Sequence, residues 1–143
     1  MIGAICTILA VATAVLISTA SGADSAAEKR VKTASKEPAS EGFKIREDFW
    51  KGELKGGDKK IVKHQLFRGN EYWFWLGADA AGIKLAIKVY DSMGRPVDVE
   101  TRAESGWSAV RVLPPKTDTY SVVFTLADKS SPKVVWAMPY GYR

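Results

Sequence analysis

Two indoles set two residues apart are the sharpest chemical feature of the chain: Trp73 and Trp75 alternate with Tyr72, Phe74 and Leu76 in residues 71–77. If that stretch is extended, side chains alternate between faces and the two indoles stand side by side, about 7 Å apart. That spacing matches neighbouring sugar rings, and an indole can stack its apolar face while offering its N–H. The expectation is a ligand-binding surface at Trp73 and Trp75, for a glycan or a peptide, with Lys84 and Lys88 as a basic rim. The competing expectation is that the indoles are covered, by the preceding segment, by a long loop or by a second copy.

The other residues with chemical potential point away from catalysis. A nucleophile needs a positioned base and a stabiliser. Any Ser-His-Asp arrangement would have to use the single histidine, His64, and no serine sits in a Gly-x-Ser-x-Gly elbow. His64 falls on the inward alternation of its segment, where a half-buried, hydrogen-bonded imidazole is expected. The one cysteine, Cys6, lies in the apolar N-terminus, so disulfides, Cys-based zinc sites and Cys nucleophiles are excluded beyond it. Asp98 and Glu100 share a face but alternate with Val97 and Val99, as on a solvated strand. Asp79, Asp91 and Asp128 fall in loops, without a twelve-residue calcium loop around them. No catalytic residue, metal or cofactor is expected.

Charge and the N-terminus bound the setting. Between residues 21 and 42 four acids and four bases cancel, so the net charge of +5 belongs to residues 43–143. Lys51, Lys55, Lys59, Lys60 and Lys63 cluster near the first strands, where they can meet anionic glycans or lipid headgroups, or simply guard strand edges. Residues 2–17 are almost wholly apolar and run into small residues. This is the pattern of a signal peptide over 1–20, cut after Ala20 or Ala23, and hence of a periplasmic or extracellular protein. A membrane is a partner only if that segment stays uncleaved, and export makes nucleic acid a poor one. Residues 21–42 lack aromatics and hold one large aliphatic residue, Val31, which predicts a flexible linker. Every Trp, Tyr and Phe lies between Phe43 and Tyr142, so the folded domain is expected over 43–143.

What must position these residues is a set of strands. Period-two alternation predicts them near 48–54, 60–67, 71–77, 84–90, 97–102, 107–113, 119–126 and 133–138, with turn residues between. The clearest places Leu85, Ile87 and Val89 inward and Lys84 and Lys88 outward. Pro114 and Pro115 stop one strand, because proline cannot donate to a ladder. Residues 139–143 are expected to pack back on the body. About eight short strands with hairpin-length connections predict an all-β protein, an antiparallel two-sheet sandwich or jelly roll.

Residues 60–126 carry a resemblance. Leu66-Phe67-Arg68-Gly69 makes a Leu-x-x-Gly turn before the aromatic strand, and Asp91-Ser92-Met93-Gly94 an Asp-x-x-Gly turn after an apolar one. A proline loop then leads to Asp118-Thr119-Tyr120, where Asp118 replaces a usual glycine. This order resembles the bacterial pre-peptidase C-terminal domain family, β-sandwich modules appended to secreted peptidases. The resemblance implies a fold and a secreted setting rather than an activity. The functional expectation is an exported, non-catalytic binding or accessory module, with docking onto another envelope protein as its alternative.

Overall fold

The computed structural model, which describes residues 25–143, has a strand near each of the eight alternating stretches and two short ones besides. The strands are β1 (Lys44–Ile45), β2 (Trp50–Leu54), β3 (Lys59–Leu66), β4 (Tyr72–Ala78) and β5 (Leu85–Tyr90). They continue as β6 (Glu100–Glu104), β7 (Trp107–Val112), β8 (Asp118–Leu126), β9 (Val134–Met138) and β10 (Tyr140–Tyr142). Seven of them form one antiparallel sheet, ordered β1-β10-β4-β7-β6, with β9 on the end of β4 and β2 on β9. The other three form a second sheet, β3-β8-β5. The protein is an antiparallel, two-sheet β-sandwich.

Alternation decides what lies between the sheets. Tyr72, Phe74 and Leu76 of β4, with Val110 and Val112 of β7, face Tyr120, Val122 and Phe124 of β8 and Leu85, Ile87 and Val89 of β5 in one buried cluster. Tight turns set the register: Asp91 accepts from the backbone N–H groups of Met93 and Arg95, both at 2.9 Å, and Gly94 takes φ 75°. At the other end of the chain, residues 139–143 pack back as expected. β10 inserts between β1 and β4, and Arg143 reaches the Glu71 carboxylate at 3.1 Å while stacking over Phe43.

The segment before the strands departs from expectation. Residues 26–40, expected within a flexible linker, form two helices, α1 (Ala26–Ala34) and α2 (Lys36–Ser40). Ser25 caps α1 by accepting from the Glu28 N–H at 3.2 Å. Ala27 and Val31, one turn apart, are buried against the outer face of the seven-stranded sheet. Gly77 makes that approach possible. A Cβ there would stand 2.7 Å from Val31 Cγ1 and 2.8 Å from the Ala27 carbonyl oxygen. The helix is too short to persist alone. Its stability comes from a sheet surface already carrying Trp73 and Trp75, which is why the apolar content of the segment itself was a poor guide. The expected signal peptide lies outside the described residues. Among the described residues, no helix is long and apolar enough to cross a membrane.

Candidate functional site

The backbone of β4 puts Trp73 and Trp75 where alternation requires, on the face opposite Tyr72, Phe74 and Leu76. They form a near-parallel pair with ring centroids 6.1 Å apart and planes inclined by 18°. Small neighbours make room for them: Ala109 and Ala137 belong to the same cluster, and Gly141 is opposite Trp73 in the ladder. The pair is not a surface, however. Helix α1 lies over it, leaving Trp73 and Trp75 only 2% and 1% exposed, and the Arg102 guanidinium stacks 4.8 Å from the Trp73 ring. A cleft of about 550 Å³ beside the helix is lined by both indoles, with Glu37, Arg102, Glu104 and Trp107 around it. Neither indole of the pair has a face free to stack on a sugar.

The basic rim expected at Lys84 and Lys88 is also elsewhere. Lys88 points outward from β5 in the three-stranded sheet, and Lys84 lies in the loop before that strand, in a cleft with Ala103, Glu104 and Ser105. The indoles lie on the outer side of the other sheet. The four expected ligand residues therefore do not converge. The parity of each strand was readable, but which sheet each strand joined was not.

A different set does converge, at the side of the sandwich where β3 meets β2 and β10. His64 projects inward from the edge strand β3 and meets Tyr140 of β10 at 4.5 Å and Trp50 of β2 at 5.6 Å between ring centroids. Tyr140 continues onto Phe74, and Tyr142 lies 6.3 Å from Tyr72. The two tyrosines of β10 face inward because their ladder partners, Phe74 and Tyr72, do. Around these rings opens a cleft of about 430 Å³, with Arg46, Gln65, Phe67 and Asn70 at its margin. Phe67 is half exposed. The Tyr72 hydroxyl accepts from the Phe67 N–H at 2.9 Å and from Asn70 Nδ2 at 3.3 Å, which fixes one wall. Among the described residues, the side chains of His64, Gln65, Tyr140 and Tyr142 make no hydrogen bond. Their polar atoms are available to a ligand.

Electrostatics keep this mouth nearly neutral. Burial holds the His64 imidazole below the usual histidine range; Asp48 opposes that shift and Arg46 adds to it. Burial likewise raises the Tyr140 phenol, against the nearby Arg46. Arg46 is itself engaged by Asp48 at 3.3 Å. At neutral pH the mouth therefore presents an uncharged imidazole and the uncharged Tyr140 phenol, able both to donate and to accept.

The carboxylates are committed elsewhere. Glu100 accepts from Arg111 and Arg102, each at 3.3 Å, and Asp98 is exposed. Asp79 accepts the Val135 N–H at 3.0 Å, and Asp128 the Ser130 N–H and hydroxyl. Among the described residues, no group of three His, Cys, Asp or Glu side chains is placed to hold a metal ion. The lysines gathered near the first strands separate: Lys51 faces Glu28 of α1 at 3.8 Å, while Lys59 and Lys63 project from the other sheet. Sequence reasoning missed that His64 meets Tyr140 and shares a cleft with Tyr142, although inward parity at His64 and an aromatic C-terminus were both visible. Compared with known proteins, the chain matches no family model and no curated protein.

Proposed function

We propose that the protein is an exported, non-catalytic binding module of the pre-peptidase C-terminal type that holds a neutral saccharide at its aromatic mouth. One observation carries this reading. Rings of His64, Tyr140 and Tyr142, backed by Trp50, line a cleft at the rim of the sandwich beside side-chain donors and acceptors that lack hydrogen bonds. Sugars ask for that combination, because their C–H faces stack on aromatic rings and their hydroxyls need partners of both kinds. The uncharged imidazole and Tyr140 phenol, with Arg46 paired to Asp48, favour a neutral ring over an ionic ligand. Export rests on the apolar residues 2–17, and family kinship on the two turn motifs. Docking through Trp73 and Trp75, the alternative reading of the sequence, would require α1 to leave the sheet.

The test is a neutral-glycan array probed with the wild-type protein, Tyr142→Ala and Gln65→Ala. Gln65 is exposed and Tyr142 half-buried, so both variants should fold. Retention by the wild type and its loss in both variants is the expected result. Absence of wild-type retention, or retention equal in all three, contradicts the reading.

A further inference from the structure

Among the described residues, none packs over the outer side of the three-stranded sheet. Register lines up its outward residues in rows that cross the strands in the order β3, β8, β5. One row is Lys63, Ser121 and Tyr90; the next is Ile61, Val123 and Lys88. A third sets Lys59 and Ala86 on either side of Thr125. The middle strand thus contributes only Ser, Val and Thr side chains, while longer ones rise along β3 and, on β5, at Lys88 and Tyr90. The face is a shallow trough running along β8, floored partly by hydroxyls. No outward position on these strands carries an acid, and among the described residues Lys59, Lys63 and Lys88 form no ion pair.

We infer that this trough docks a linear anionic polysaccharide. Charge complementarity fixes the sign of the partner. Spacing makes it a polymer: Lys59 and Lys63 stand about 13 Å apart along β3, and Lys88, level with Ile61, stands about 12 Å from each across two strand spacings. A single small anion cannot touch all three, whereas a chain with recurring acidic groups can. Hydroxyls of Ser121 and Thr125 in the floor donate and accept, which suits sugar hydroxyls between the charges. A bilayer would ask instead for several protruding apolar anchors, and among these outward positions the one large aliphatic residue is Ile61, 56% exposed. The trough lysines lie apart from the aromatic mouth, which uses the inward His64 of the same edge strand and, on the trough's face, only its end residue Gln65.

The test measures binding of the full chain to polygalacturonate and dextran sulfate, with neutral dextran and phosphatidylglycerol vesicles alongside. The wild type should bind both acidic polymers with affinity that falls as salt rises. A Lys59→Gln/Lys63→Gln/Lys88→Gln variant should bind them about tenfold more weakly or worse, with a shallower salt dependence. Its thermal midpoint should be unchanged, and the corresponding Lys→Arg variant should retain binding. Tyr142→Ala, which addresses the mouth, should bind the acidic polymers normally. Absence of wild-type binding, equal binding by the triple Gln variant, preference for vesicles over polymers, or loss of polymer binding in Tyr142→Ala would each overturn the inference.

Discussion

The two outer faces of this sandwich obey one alternation rule and meet opposite fates. On the seven-stranded sheet the outward residues of β4 are Trp73 and Trp75, and a two-turn helix seals them into a second apolar cluster. On the three-stranded sheet the outward residues of β8 are Thr119, Ser121, Val123 and Thr125, flanked by lysines, and none of the described residues covers them. Strand parity says which residues leave the core. It does not say whether the surface they reach is wet. That depends on what else in the chain needs a partner, and here a short helix with two buried residues finds one in two large indoles.

The contrast can be broken most severely from the covered side. Replacing Trp73 or Trp75 by Ala should cost about 3–5 kcal/mol in urea unfolding, the loss typical of a buried aromatic residue. A surface pair would cost within about 0.5 kcal/mol. Next in size is Gly77→Ala, where the added methyl meets Val31 and the Ala27 carbonyl. Overpacking of this kind costs about 1–3 kcal/mol, and acrylamide quenching of tryptophan emission should rise as α1 lifts.

A smaller, pH-dependent effect sharpens the comparison at the mouth between the sheets. His64 titrates lower in the folded protein than its unfolded value of 6.5, chiefly through burial. The unfolded chain therefore binds the proton more readily. The stabilisation due to neutral His64 is complete above about pH 6.5 and declines as pH falls through the folded value. Stability measured across pH 7 to 5 should fall, and His64→Gln should flatten that part of the profile.

Much of the fold was legible because alternation is local. Residues 85–90 announce Leu85, Ile87 and Val89 as a core face without reference to any other strand, and the structure places them there. Pairing is not local: nothing around Lys88 indicates that its strand joins β8 rather than the sheet holding Trp75. The helix was missed for a related reason. Residues 26–34 bring little apolar area themselves, and the area they bury belongs mostly to strands some forty residues later. A local signal was nonetheless present, since Ser25-Ala26-Ala27-Glu28 has the Ser-x-x-Glu form of a helix N-terminus. The mouth was hidden because it joins β2 and β3, sequence neighbours in different sheets, to β10 at the far end of the described chain.

The most direct measurement sets one β-branched residue from each face against the other. Val31 seals the covered face at 1% exposure, and Ile61 stands on the bare face at 56%. Unfolding free energies of Val31→Asp and Ile61→Asp should differ sharply, the first losing about 3 kcal/mol or more by burying an unpaired carboxylate, the second under about 1 kcal/mol. Equal and small losses would mean that α1 does not cover the indoles, and the division between a sealed and an open face would fall.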